Sequence, residues 1–158
     1  MIAIAAVMTA LVCVTTMFFM LPIPATDGFF NLGDAIVMIA ALTFGPTVGA
    51  IAGGIGSSLA DLLGGWYVWV IPTLVIKGAE GFIAGWIFSK SKNQSFQKTI
   101  LAWIVGGLVM VSGYFMVQVF MYGFEAALVE APFNFVQMAM SGIIGVPISQ
   151  ALKRRIGM

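Results

Sequence analysis

The sequence predicts an all-α membrane protein, a compact bundle of six transmembrane helices with both termini in the cytoplasm. Two observations support this prediction. Hydrophobic residues make up 61% of the 158 residues and charged residues only 8%, whereas soluble domains are about 45–50% apolar and about 25% charged. The apolar residues also form long runs between turn signals, which suit lipid better than a soluble core. We interpret residues 1–158 as a single integral-membrane domain, since the sequence shows no internal repeat.

The first half of the chain predicts three helices. Helix 1 covers about residues 2–20 and ends where Pro22 and Pro24 remove backbone donors. We interpret it as a retained helix rather than a signal peptide, because no small-residue cleavage pattern follows it. Helix 2 covers residues 33–44, which at 1.5 Å per residue reach only about 20 Å. Helix 3 covers residues 47–63, between two turns that contain glycine.

The second half predicts three further helices, at residues 72–88, 99–122 and 132–152. An acidic loop with Glu125 and Glu130 precedes the last of them, which we expect to begin at a proline. Six of the 7 Lys and Arg residues lie in the loop between helices 4 and 5 or in the C-terminal tail. Positive charge remains on the cytoplasmic side, and a count of six helices places both segments there.

Small residues predict close packing of helix 3. Glycine and alanine recur at every fourth position in two rows, Gly45-Gly49-Gly53 and Ala52-Gly56-Ala60. Small residues at this spacing allow helix backbones to approach closely in lipid, so we expect helix 3 at the centre of the bundle. Helix 1 carries Ala6 and Ala10 at the same spacing, and this pair suits either internal packing or contact with a partner.

Four ionisable residues fall within or near the predicted spans: Asp34, Asp61, Lys77 and Glu80. An unpaired charge at the bilayer centre costs about 2.5–3.5 kcal/mol even on a lenient insertion scale. Lys77 and Glu80 share a helical face and predict an ion pair, with Asp61 as a further partner. The same charges predict a polar site that opens outward, and the two interpretations are compatible. We expect Asp34 to cap the N-terminus of helix 2.

Aromatic and amide side chains extend this candidate site. Trp66, Tyr67 and Trp69 predict either an interfacial aromatic belt or a lid that stacks on a flat ligand. Helices 5 and 6 add neutral hydrogen-bonding groups, namely Tyr114, Gln118, Asn134 and Gln137. A few convergent polar groups in an apolar cavity are typical of a site for a small polar ligand.

Several classes of function are excluded by the composition. The sequence has no histidine, which removes the commonest general base and metal ligand. It has no P-loop motif for ATP, and a net charge of +1 provides no basic field for nucleic acid. We therefore predict a protein that is not an enzyme and uses no cofactor and no metal.

Four stretches carry a family likeness: NLGDA at 31–35, FGPTVGA at 44–50, GGIGSSLADL at 53–62 and IKGAEG at 76–81. Together with the length and the six-helix pattern, they resemble the substrate-binding S-components of energy-coupling factor (ECF) vitamin transporters. The likeness is greatest to the riboflavin-type branch, which includes carriers of hydroxymethylpyrimidine, pyridoxine and pantothenate. The chain begins almost inside helix 1 without preceding basic residues, so we expect either a trimmed N-terminus or anchoring by the other basic loops.

The resemblance implies the substrate-capture subunit of an ATP-driven importer in the bacterial plasma membrane. Such subunits bind a vitamin or its precursor at their outward end, and they topple in the membrane to deliver it inward. They associate with a transmembrane coupling subunit and two ATP-binding subunits, and Ala6 and Ala10 match the docking motif for the coupling subunit. The ligand positions that the resemblance implies are Trp66, Tyr67, Trp69, Lys77, Glu80, Tyr114, Gln118, Asn134 and Gln137.

The aromatic loop favours a flat pyrimidine or pyridine over an extended ligand. Hydroxymethylpyrimidine is the first expectation, followed by pyridoxine or pantothenate, with Lys77 and Glu80 bonded to its polar groups. Two alternatives remain open: a stand-alone carrier coupled to protons, and a structural membrane subunit without a ligand.

Overall fold

A computed structural model describes residues 1–23, 26–90 and 95–157. Within these ranges the chain forms six α-helices, a two-stranded hairpin and one short 3-10 turn. The helices are α1 (Ile2–Phe18), α2 (Gly33–Phe44), α3 (Pro46–Gly64), α4 (Val70–Ser89), α5 (Phe96–Tyr122) and α6 (Phe124–Ile156); the strands are β1 (Leu21–Ile23) and β2 (Gly28–Phe30).

Four of the helices, α3 to α6, are long and apolar enough to cross a membrane. The other two are shorter, with 17 residues in α1 and 12 in α2. At 1.5 Å per residue, α2 reaches about 18 Å, against a bilayer core of about 30 Å. The structure therefore supports a helical membrane protein, whereas the count of six spans and the cytoplasmic position of the termini stay predictions.

The prediction of a loop before helix 6 is wrong. Gly123 ends α5 and reverses the chain with a φ of 91°, a conformation that glycine adopts without the steric cost of a side chain. Because α6 begins at the next residue, Glu125 and Glu130 are helical. Pro132, the expected first residue of the helix, lies inside it.

The connection between α1 and α2 contains an antiparallel hairpin, where the sequence pattern predicted only a polar loop. Leu21 pairs with Phe30 and Ile23 pairs with Gly28. A Cβ added at Gly28 would lie 2.9 Å from both carboxylate oxygens of Glu130, so the hairpin rests directly on α6. We call this end of the bundle, with the hairpin and the Tyr67–Trp69 turn, the site end.

The predicted close packing of α3 is confirmed by its neighbours. A Cβ at Gly56 would lie 2.7 Å from the carbonyl oxygen of Thr9 on α1, and a Cβ at Gly53 would lie 2.5 Å from that of Lys77 on α4. These distances leave no room for a side chain, so α3 packs backbone to backbone between α1 and α4. Gly45 forms the turn before α3 with a φ of 91°, and its carbonyl carbon would lie 2.7 Å from a Cβ added at Gly85 on α4.

Candidate functional site

Lys77 on α4 lies at the centre of a buried ionic network. Its Nζ contacts Oδ1 of Asp34 on α2 and lies 3.1 Å from Oε2 of Glu80. The three side chains are only 0–1% exposed. The predicted Lys77–Glu80 pair is therefore confirmed, but the further partner is Asp34 and not Asp61. Pairing of this kind offsets the cost of removing the charges from water.

The prediction that Asp34 caps helix 2 is wrong. Asp34 lies in the first turn of α2, but no side-chain cap is found there among the described residues. Its Oδ1 instead contacts Lys77, and its Oδ2 accepts a hydrogen bond of 2.8 Å from Nε2 of Gln137. Position in the helix suggested a cap, whereas the packing of α2 against α4 and α6 turns the carboxylate into the bundle.

Gln137 links α6 to the segment that leads into α2. Its Oε1 accepts hydrogen bonds from the backbone N–H of Asn31 at 2.9 Å and from the Asn31 side-chain amide at 3.3 Å. Asn31 Oδ1 in turn accepts a hydrogen bond of 2.9 Å from the N–H of Gly33. These bonds hold the start of α2, and with it Asp34, in a defined position relative to Lys77.

A small cavity, which we call the site cavity, adjoins this network at the site end. Its volume is about 20 Å³, which is room for about one water molecule. A vitamin-sized ligand therefore requires the cavity to widen. The walls are formed by Thr16, Gly28, Phe29, Asn31, Ser57, Asp61, Trp69, Thr73, Lys77, Tyr114, Glu130, Asn134 and Gln137.

Several buried polar atoms on the cavity wall have no hydrogen-bond partner among the described residues. They are Oγ1 of Thr16, Oδ2 of Asp61, Oε2 of Glu130 and Nδ2 of Asn134. An unsatisfied buried group of this kind costs about 1–3 kcal/mol, and native proteins contain few. Because two of the four atoms are carboxylate oxygens, the wall is suited to a polar molecule that donates hydrogen bonds.

Trp69 and Tyr114 form an aromatic wall, with ring centroids 5.7 Å apart. The indole N–H of Trp69 donates a hydrogen bond of 2.8 Å to the carbonyl of Asp27. The Tyr114 hydroxyl bonds Oγ1 of Thr73 at 3.1 Å, and its ring centroid lies 5.5 Å from Nζ of Lys77. These contacts hold both rings in position, and rings held in this way offer a flat ligand a surface for stacking.

The structure brings part of the predicted ligand-binding set to the cavity wall: Trp69, Lys77, Tyr114, Asn134 and Gln137. Glu80 contacts Lys77 instead, and Gln118 is fully buried without lining the cavity. Trp66 packs against Phe29 and donates to the sulfur of Met20, while Tyr67 is 71% exposed. A 3-10 turn points successive side chains in three different directions, so only one residue of this aromatic loop enters the bundle.

Four further residues line the cavity that were not among the predicted ligand-binding positions: Asp61, Glu130, Thr16 and Asn31. Glu130 lies four residues before Asn134, so the two share a helical face. That signal was missed because Glu130 was expected in a loop. Asp61 was expected as a further partner of Lys77 and not as a ligand contact. Nothing in the local pattern distinguishes Thr16 or Asn31 from other buried polar residues.

The chain matches the family described as "ECF-type riboflavin transporter, S component" over residues 1–154. It therefore belongs to this family of transporter S components, which are not enzymes, as the motifs suggested. A relative in Pyrococcus woesei, described as "Uncharacterized protein in gap 3'region", is 47% identical over 147 residues that cover 92% of this chain and 97% of that protein. The thiamine precursor transporter HmpT of Lactococcus lactis subsp. cremoris (strain MG1363) is 32% identical over 150 residues, covering 94% and 85%.

Proposed function

We propose that this S component captures a small, flat, hydrogen-bond-donating vitamin precursor in the site cavity, with hydroxymethylpyrimidine as the first candidate. The observation that carries the proposal is the pair of carboxylates, Asp61 and Glu130, beside the aromatic wall, each with one oxygen that has no hydrogen-bond partner among the described residues. An aminopyrimidine with a hydroxymethyl group presents donors at its edge and a planar ring to stack. The similarity to a protein named as a thiamine precursor transporter supports the same ligand class.

The charges around the cavity disfavour an anionic ligand. Lys77 is the one cation on the cavity wall formed by the described residues, and its Nζ already contacts Asp34 and Glu80. A carboxylate ligand such as pantothenate would face Asp61 and Glu130, and like charges brought together at a buried site cost several kcal/mol. Pantothenate therefore ranks last among the three candidates, and neutral pyridoxine ranks second.

In the proposed complex, the ligand ring stacks on Trp69 and contacts the Tyr114 ring, which is tilted by 60° from that of Trp69. Its amino and hydroxyl groups donate to Asp61 and Glu130. Asn134 donates to a ring nitrogen. Glu80 acts indirectly, because it holds Lys77 in place. These roles leave Trp66 and Tyr67 outside the ligand site.

The cavity widens, in this proposal, by movement of the hairpin away from α6. The hairpin contacts α6 through Gly28 and Glu130, so its displacement enlarges the cavity next to a ligand-binding carboxylate. Gln118 lies next to Glu130 and is fully buried. Gln118 therefore becomes a further ligand contact once the cavity is open.

The exposed face of α1 is the proposed docking surface for a transmembrane coupling subunit, which would act with two ATP-binding subunits. Ala6 and Ala10 are exposed, whereas Ala5 and Met8 face the bundle. Two small side chains one turn apart allow a partner helix to approach closely. In this proposal the ATP-binding subunits would hydrolyse ATP. The S component itself would lie in the cell membrane as a multi-pass protein, with both termini in the cytoplasm.

Ligand binding is tested by tryptophan fluorescence of the detergent-purified protein, titrated with hydroxymethylpyrimidine, pyridoxine, pantothenate and riboflavin. Trp69 forms part of the cavity wall and is only 3% exposed to solvent. A ligand that stacks on it should therefore quench its emission saturably. We expect the tightest binding with hydroxymethylpyrimidine and the weakest with pantothenate. Tightest binding of pantothenate would contradict the charge argument, and no response from a folded protein would favour the structural subunit. Uptake into vesicles without any ATPase would favour the stand-alone carrier.

A further inference from the structure

A second pocket lies at the opposite end of the bundle from the site cavity, where α6 ends and α5 begins. We call this the basic end. The volume of the pocket is about 260 Å³, much larger than that of the site cavity. Its walls combine two aromatic rings with polar and cationic groups: Phe88, Phe96, Thr99, Ser149, Gln150, Lys153 and Arg154.

Lys153 is the buried cation of this pocket. It is only 9% exposed, and its Nζ lies 3.1 Å from the centroid of the Phe88 ring. Lys77 forms both of the ion pairs that the described residues contain. Lys153 forms no ion pair and donates no hydrogen bond within residues 1–23, 26–90 and 95–157. A ring face compensates a desolvated ammonium group less completely than an anion does. Lys153 thus lines the pocket as a buried charge without a counter-ion from these residues.

The surroundings of Lys153 add further positive potential. Arg154 lies on the same wall, and the first turn of α5 contributes Phe96 and Thr99. That first turn has no acidic residue and no side-chain cap. The N–H groups of Lys98 and Thr99 bond the carbonyl of Ser95, which leaves those of Phe96 and Gln97, with the positive end of the helix dipole, to face an anion. The sequence has no Asp or Glu between residues 81 and 124 or after residue 130. No acidic side chain of α5 or of the C-terminal half of α6 can therefore neutralise this pocket.

We propose that the pocket at the basic end binds a phosphate group, presented by an anionic phospholipid headgroup or by a soluble phosphate. The phosphate oxygens accept hydrogen bonds from Lys153, Arg154 and the first-turn N–H groups of α5. Basic pockets between transmembrane helices bind phospholipid headgroups in this way. Phe96 at the pocket is 61% exposed, and an exposed ring beside a phosphate site favours a lipid as the source, because it can contact the acyl chains.

The test uses the delipidated full-length protein in a non-ionic detergent. Native mass spectrometry measures the binding of short-chain phosphatidylglycerol, short-chain phosphatidylcholine and inorganic phosphate. We expect phosphatidylglycerol to bind more tightly than zwitterionic phosphatidylcholine, and Lys153→Gln and Arg154→Gln each to weaken it about fivefold to tenfold. Competition by inorganic phosphate at comparable concentration identifies a soluble phosphate as the source, whereas binding of the lipid alone identifies the headgroup.

The matched control is Arg155→Gln, which removes the same charge one residue away from the pocket wall. It should weaken binding less than about twofold, since Arg155 does not line the pocket and a charge at a distance is screened by salt. Unchanged binding in Lys153→Gln, or an equal loss in Arg155→Gln, would overturn the proposal. Circular dichroism checks the fold of each variant. If Lys153→Gln does not fold, Arg154→Gln decides the outcome, because Arg154 is exposed.

Discussion

Replacing Lys77 by methionine tests the buried ionic network most directly. Met fills much of the volume of the lysine stem but removes the charge that faces Asp34 and Glu80. The two carboxylates, both at most 1% exposed, then remain buried without a cation. Breaking a buried pair in this way costs about 3–5 kcal/mol, and full burial of all three side chains places this site at the upper end of that range.

The free energy of unfolding in mixed micelles, measured by SDS titration and circular dichroism, checks this value. The triple variant Lys77→Met, Asp34→Asn, Glu80→Gln removes every charge of the network with little change in volume. It should recover about 2 kcal/mol or more of the loss, because neutral groups have a smaller desolvation cost. Lys90→Met is the matched control, since Lys90 is exposed and directly follows the same helix, and it should change stability by less than about 0.5 kcal/mol. A Lys77→Met protein as stable as the parent, or a triple variant no better than the single one, would refute the reasoning.

Three further predictions concern the ligand and the partner. Glu130→Gln should weaken binding of hydroxymethylpyrimidine about tenfold to a hundredfold in calorimetry, because a charge-assisted hydrogen bond contributes about 1.5–3 kcal/mol. Gly28→Ala should also weaken binding, because its Cβ would lie 2.9 Å from the Glu130 carboxylate; Gly78→Ala, whose Cβ would have no neighbour nearer than 3.7 Å, should not. Ala6→Trp combined with Ala10→Trp should abolish co-purification with the coupling subunit and leave ligand affinity unchanged, because the bulky rings prevent helix contact.

Exposed positions elsewhere in the chain supply the remaining controls. Tyr67→Phe, at a residue that is 71% exposed, should bind ligand as the parent does; a loss equal to that of Glu130→Gln would place the ligand outside the site cavity. Phe120→Trp introduces a tryptophan at a position that is 92% exposed on α5. If it blocks assembly as effectively as the α1 double variant, then α1 is not the docking surface.

Contacts within a helix or a turn were predictable from the local pattern. Residues 33–44 form α2 as expected, and the small residues at Gly53 and Gly56 pack α3 against its neighbours. The start of α6 was not predictable, since a proline after an acidic stretch is a common helix beginning, whereas the turn is made at Gly123.

The sequence by itself determined that this is a helical membrane protein with six helices, which family it resembles and that Lys77 pairs with Glu80. Each of these depends on composition, on motifs or on residues within one helical turn. Only the tertiary structure decided that Asp34 joins Lys77 across 43 residues and Gln137 across 103. It also decided that Asp61 and Glu130 share one cavity wall, because such contacts arise from how the helices pack, and no local spacing encodes the packing of α2 against α4 and α6.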